Sequence, residues 1–319
     1  MIYYTGDIHG QKYEIERFCK RFKPTRDDVI VILGDVAANY SQDERDAALK
    51  KALNKLRPTI LCIHGNHEIR PWNIPTYKTK IWNGGTVWYE EEYSSVLFAK
   101  DGEIYDLEGL RHIAIGGAYS VDKFYRIARG YGWWEDEQPS DEIKQYVEQQ
   151  LKENKIDVIL SHTCPFKYEP VEVFLPGIDQ STVDTSTEKW LDVIEDTTDY
   201  IAWFCGHWHI NKRIDDIHFL FHQFESCEAI QEIANIFNHG SFRLYVKKAA
   251  KKCQTKDEFA KNLRSELMYY FWSKCAWEVL ISPWISSREN EEMKIDVCWQ
   301  VMNNWDVFLD YVWNNKRKL

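Results

Sequence analysis

The sequence predicts an α/β fold built on a mostly parallel sheet, followed by a small C-terminal α+β domain. Three observations predict it. From Ile2 to His64, apolar β-prone runs alternate with helical patterns, the arrangement that buries strands between helices. Five of the apolar runs along the chain end in a short polar cluster. Near Cys227 the composition changes: the polar clusters stop and tryptophan accumulates.

The first strand is Ile2 to Thr5. Tyr13, Ile15, Phe18, Cys19 and Phe22 then recur at close to helical spacing from Gln11 to Phe22, and Pro24 ends that helix. Asp27 and Asp28 lead into the strand Val29 to Leu33. Gln42 to Leu56 reads as a second helix with Leu49, Leu53 and Leu56 on its inner side, stopped by Pro58 before the strand Thr59 to His64. Residues 70–100 are rich in aromatics and turns, and short strands are expected at Thr86 to Tyr89, Ser95 to Phe98, Gly102 to Leu107 and Arg111 to Ile115. Gly116 to Arg126 and the stretch holding Gly130, Gly132, Trp133 and Trp134 are assigned no regular element. Ser140 caps a helix from Asp141 to about Asn154, and Ile156 to Leu160 is the next strand. Residues 164–188, with three prolines, read as a surface loop or lid. Trp190 to Asp196 suggests a helix before the strand Tyr200 to Cys205, and Lys212 to Ile214 with His218 to Phe221 suggests a closing hairpin.

The polar clusters are Gly6-Asp7-Ile8-His9-Gly10, Gly34-Asp35-Val36, Gly65-Asn66-His67-Glu68, Ser161-His162 and Gly206-His207-Trp208-His209. Each stands at the C-terminal end of an expected strand, and in an open α/β sheet those ends converge on one ligand-binding edge. Their donors are carboxylate, amide and imidazole groups with no thiolate, a set suited to hard or borderline divalent cations. The Asp-x-His and His-x-His spacings fit a strand end, where alternate side chains share a face.

The order Asp-x-His, Gly-Asp, Gly-Asn-His-Glu, His, Gly-His-x-His resembles the calcineurin-like metallophosphoesterase superfamily over roughly residues 1–225. The resemblance implies a four-layer α/β/β/α sandwich, with the short strands after Thr86 forming its second sheet. It also implies two divalent ions, Mn²⁺ foremost, with Fe, Zn²⁺ or Ni²⁺ also suiting the donors. Asp7, His9, Asp35 and His209 would hold one ion; Asp35, Asn66, His162 and His207 the other, with Asp35 bridging. The implied reaction is attack of a metal-bridging hydroxide on phosphorus. His67 would act as general acid, or else only hydrogen-bond the substrate phosphate. In the phosphoprotein phosphatases of this superfamily a second acid of the Gly-Asp block orients that histidine; here Ala38 takes its place and the block's arginine is also missing.

Substrate contacts are expected from Asn39, Arg70, Tyr119 and Arg126, although Asn39 also suits a turn and Arg70 a surface ion pair. Trp133 and Trp134 can stack on a base or simply pack. The segment from Gly116 to Trp134 resembles those of bacterial and phage metallophosphoesterases, which implies a phosphodiester such as a cyclic or linear nucleotide or an RNA end; the expected partner is a nucleotide, a short nucleic acid or another phosphorylated small molecule. A phosphomonoesterase, including one acting on phosphoproteins, and a non-catalytic metal-binding scaffold are the competing readings.

Bulk properties narrow the classes further. A net charge of −10 excludes a strong non-specific nucleic-acid binder, whose affinity comes from neutralising phosphates. No apolar run approaches the ~20 residues that span a bilayer. The start MIYYTGDIHG carries no basic leader, and the eight cysteines form no Cys-x-x-Cys pair, so a cytoplasmic protein with reduced thiols is expected. Residues 1–226 are read as the phosphoesterase domain and 227–319 as the accessory α+β domain. In the latter Glu228 to Phe237 and Ala276 to Ser282 look like strands, 238–241 a turn, Asp257 to Phe271 a helix and Ile295 to Trp313 an amphipathic stretch. Its His239 and six tryptophans are expected to serve packing, or else a partner surface through which the chain would form a homo-oligomer.

Overall fold

A computed structural model of the chain describes residues 1–226, 253 and 255–263. The chain divides into two units, Met1–Ser226 and Cys227–Leu319. In the second, residues 256–263 are helical and bury Phe259 and Leu263, within the helix expected from Asp257 onward. The other elements expected there, His239 and the six tryptophans lie outside the described residues.

The first unit opens as β-α-β-α-β: β1 (Ile2–Thr5), α1 (Tyr13–Phe22), β2 (Val29–Ile32), α2 (Glu44–Asn54) and β3 (Thr59–Cys62). β4 (Lys78–Trp82), β5 (Gly85–Tyr89), β6 (Val96–Ala99), β7 (Ile104–Leu107), β8 (Leu110–Ile115), α3 (Lys123–Arg129), α4 (Asp141–Glu153) and β9 (Val158–Ser161) follow. The unit ends with α5 (Ser186–Thr197), β10 (Ala202–Cys205), β11 (Lys212–Ile214), β12 (Ile217–Phe219) and β13 (Glu225–Ser226). One sheet has the order β13-β1-β2-β3-β6-β5-β4 and the other β11-β12-β10-β9-β8-β7.

This corrects the expected division of strands. β4, β5 and β6 extend the first sheet, because β6 pairs parallel to β3 through Ile60↔Val96, and only β7 and β8 pass to the second. The expected hairpin is present as β11 and β12, antiparallel at the edge of the second sheet. Ser140 accepts a hydrogen bond from the Ile143 amide and starts α4 as expected. Residues 166–182 hold only three one-turn 3₁₀ segments.

Strand pleating makes four layers. Ile30, Ile32, Ile60 and Cys62 point to one face of the first sheet, where Ile15 and Phe18 of α1 and Leu49 and Leu53 of α2 cover them. Ile113, Ile115, Ile159 and Trp203 point to the outer face of the second sheet, under Val147 of α4 and Leu191 and Ile194 of α5. The alternate residues meet between the sheets: Tyr4 stacks on Phe204 at 4.0 Å and its hydroxyl hydrogen-bonds His112 Nε2 at 2.7 Å. The result is an α/β/β/α sandwich whose parallel strands β1, β2, β3, β9 and β10 end at the same side. Among the described residues no helix is long and apolar enough to cross a membrane, and Cys19, Cys62, Cys164 and Cys205 are free thiols.

Candidate metal centre

Each polar cluster sits in the loop just past one of these parallel strands. Asp7 and His9 follow β1, Asp35 follows β2, Asn66 and His67 follow β3, His162 follows β9, and His207 and His209 follow β10. The strand pleat does not set their spacing. His9, Asp35, His207 and His209 have left-handed backbones, with φ of 45°, 47°, 67° and 52°. Such torsions are costly for side-chain-bearing residues and collect at functional sites, held by their surroundings. His9 N, for example, donates to the Asp35 carbonyl at 2.8 Å, so one turn fixes the next.

Two glycines clear the way for the donors. A Cβ on Gly34, itself at φ 106°, would lie 2.0 Å from His162 Nδ1, and one on Gly206 would lie 2.3 Å from Asp7 Oδ1. No other residue fits where the backbone passes this close to a functional side chain.

Asp7, His9 and His209 offer ligand atoms within 4.8 Å of one another, as do Asp7, Asp35 and His162. His9 Nε2 and His209 Nε2 face each other at 2.8 Å, and His209 Nε2 is 3.2 Å from Asp7 Oδ2. His9 Nε2 is also 3.9 Å from Asp35 Oδ2, which is 3.8 Å from His67 Nε2. His162 Nε2 stands 3.6 Å from Asp35 Oδ1 and 2.8 Å from Asn66 Oδ1. His207 falls in neither three-residue group; its ring lies 5.0 Å from that of His162, and its amide donates to Asp7 Oδ1 at 2.8 Å. The donors thus form one continuous cluster in which Asp7 shares both groups. Carboxylate and imidazole atoms so close together, two of them imidazole nitrogens turned toward each other, fit divalent cations.

Charge follows from burial. Desolvation would raise the Asp7 carboxyl, but the His209 hydrogen bond and the surrounding histidines hold it well below the ordinary range. Burial, then the neighbouring His162, pushes the His207 imidazole down to about 3. Burial beside Asp35 raises Glu68 to about 8, although its Oε1 accepts from the Gly65 amide at 3.1 Å.

The four expected substrate contacts occupy different places. Arg126 reaches the site: its Nη2 is 3.5 Å from His67 Nε2, while its Nε donates to both Asp122 carboxylate oxygens at 2.8 Å. Burial and the Arg126 charge lower the His67 imidazole to about 3. Arg70 is only 1% exposed, ion-paired to Asp101 at 2.6 Å and donating to the Asp136 carbonyl. Asn39 is buried and its Oδ1 accepts from the Tyr77 hydroxyl at 2.9 Å. Tyr119 is buried, with Lys123 Nζ 5.9 Å from its ring. Trp133 lies under Lys123 Nζ at 4.2 Å, and Trp134 packs edge-on against Tyr40 at 5.5 Å.

Two residues escaped the sequence reading. Ser120 Oγ accepts from Asn66 Nδ2 at 2.8 Å and so turns Asn66 Oδ1 toward His162. Asp122 clamps Arg126; its spacing of four from Arg126 was the available signal.

Clustered oxygen and imidazole donors at the strand ends of an α/β/β/α sandwich define a metal-dependent hydrolase. A family model for calcineurin-like phosphoesterases matches residues 1–211, and the chain belongs to that family. It is accordingly a metal-dependent phosphoester hydrolase. No individual curated protein matches the sequence.

Proposed function

We propose that this protein is a phosphodiesterase for nucleotides or nucleic-acid-derived phosphodiesters, working at a centre of two divalent ions. The company His67 keeps supports this most directly. Ala38 supplies no second acid of the Gly-Asp block to that imidazole, which stands 3.8 Å from Asp35 Oδ2 and 3.5 Å from the Arg126 guanidinium. Arg126, held by Asp122, offers the phosphate a positioned guanidinium, and the missing second acid argues against a phosphoprotein phosphatase.

Asp7, His9, Asp35 and His209 would hold one ion and Asp35, Asn66, His162 and His207 the other. When bound, the two ions would lower the pKa of a water and offset charge on the phosphoryl oxygens. The chain's own residues do the rest. Arg126 orients the phosphate, and a phosphate bound there would take the guanidinium N–H from His67 Nε2, leaving that nitrogen to carry the proton for the leaving oxygen. Ser120 keeps the Asn66 amide turned to its task. Arg70 and Asn39, each tied into buried hydrogen bonds, support the walls of the site. Residues 1–226 carry all of this chemistry, and the free thiols of Cys19, Cys62, Cys164 and Cys205 support a cytoplasmic setting.

Calorimetric titration of metal-stripped protein with Mn²⁺ tests the centre. Two equivalents per chain are expected; a single equivalent, or none, contradicts it.

A further inference from the structure

We propose that α3 is the recognition platform of this site: Arg126 takes the phosphate while the rings of Tyr125 and Tyr131 stack on the nucleobase attached to it. This rests on the reading of the substrate as nucleotide-like and names the residues that would read the base.

Helix α3 buries none of its residues, so packing does not account for its sequence Lys-Phe-Tyr-Arg-Ile-Ala-Arg. Its ties are polar: Arg126 to Asp122, Arg126 Nη1 to the Gly132 carbonyl at 3.2 Å, and the Gly132 amide to the Tyr40 hydroxyl at 3.2 Å. Those bonds aim Arg126 at His67 and fix the helix beside the metal centre.

The faces of α3 follow from a rotation of about 100° per residue. Tyr125 and Arg129 lie on one flank of Arg126, Lys123 on the other, and Phe124 on the opposite face. Tyr125 is 54% exposed and Tyr131 55%, their ring centroids 6.0 Å apart, with the Arg129 guanidinium 5.5 Å from the Tyr125 ring. The tryptophans nearby are already engaged, Trp133 with Lys123 and Trp134 with Tyr40. Both tryptophans are only partly exposed, whereas the tyrosine pair is exposed, with Arg129 beside Tyr125, and is the more open aromatic surface next to Arg126.

Charge selects the occupant. α3 holds three cations and no acid, and Asp122 at its N-cap balances one of them, so the helix keeps a net positive charge in a chain of net charge −10 and suits an anionic partner. A nucleotide joins an anionic phosphate to a π face, the two features that Arg126 and the tyrosines, one on α3 and one just past its C-cap, offer side by side.

The test compares AMP with ribose 5-phosphate, which share a sugar phosphate and differ in the base. Both are measured as competitive inhibitors of whichever chromogenic ester the full chain turns over, or by calorimetry with Mn²⁺ present. In the wild type AMP is expected to bind at least about fivefold tighter, the lower end of the range for stacking on aromatic side chains. In Tyr125→Ala/Tyr131→Ala the ratio falls toward one, and in Phe124→Ala, on the far face, it stays at the wild-type value. A wild-type ratio near one, or one unmoved by the double variant, overturns the proposal. So does a wild-type dimer that the double variant converts to monomer with the ratio unchanged, which assigns the surface to a second copy. Preference for a monoester in turnover would remove the diester reading alone, since the inhibition ratio still decides on α3.

Discussion

At the residue scale, the site depends on side chains held at close quarters by loops in costly conformations. Gly206→Ala would drive a methyl into Asp7 Oδ1, and overpacking of this kind costs about 1–3 kcal/mol. The variant should unfold at lower denaturant and lose Mn²⁺ affinity together; wild-type values for both would show that the loop yields freely. Asp35 stands near His9, His67 and His162 at once, so Asp35→Asn should abolish turnover and weaken both ions. An Asp35→Asn protein that keeps two tightly bound ions would end the bridging assignment. His67→Gln should retain both ions and lose most rate on esters with poor leaving groups. Equal loss across a leaving-group series would leave His67 only a phosphate hydrogen bond. Ser120→Ala frees the Asn66 amide, and loss of such supporting partners typically lowers metal affinity about 10- to 100-fold. Unchanged affinity measured by calorimetry would remove Ser120 from that role.

At the element scale, what the sequence disclosed divides by how each element is held. β1, β2, β3, β9 and β10 are buried on both faces and read as plain apolar runs, and α1, α2 and α4 carry apolar stripes with clear stops. The motif residues were legible because chemistry fixes their type, whatever the loop. Elements held by something other than burial were not legible. β4 is an edge strand that exposes Lys78, Thr79 and Ile81 and so shows no apolar alternation, its lysines protecting the edge. β13 has two residues, too few for any pattern, yet pairs with β1. Helix α3 has no buried stripe; its readable signals were the Asp122 to Arg126 spacing and Gly130 in the left-handed capping position. The His-x-His spacing gave the right neighbours for the wrong reason, since left-handed turns place both imidazoles where strand pleating was expected to. Arg70 likewise looked available beside its motif, and nothing local reveals that Asp101, thirty-one residues on, captures it.

At the scale of the whole molecule, the donor cluster joins the two sheets. Asp7, Asp35 and Asn66 come from the first; His162, His207 and His209 from the second. Ions bound there stabilise the sandwich by mass action, since the unfolded chain has no such site. Thermal unfolding should therefore shift upward by several degrees with saturating Mn²⁺ and fall back with chelator, on the order of 2–4 °C per kcal/mol for a chain of this size. A midpoint indifferent to both would contradict the arrangement. The interlayer polar pair gives a second test. Burial depresses His112 to about 4 from its ordinary 6.5, so between these pH values the unfolded chain binds a proton that the folded chain refuses. His112's contribution is thus complete above pH 6.5 and drains away as pH falls toward 4. Urea unfolding at pH 7.5 and pH 5 should show a larger acid loss for wild type than for His112→Gln; equal losses would contradict the buried, neutral imidazole.

The most direct measurement of the central claim is hydrolysis of bis-p-nitrophenyl phosphate against p-nitrophenyl phosphate, with added Mn²⁺ and with chelator. Turnover that favours the diester and disappears with chelator is the predicted result. Turnover that favours the monoester would contradict the diester assignment, and turnover indifferent to chelator would contradict the metal centre itself.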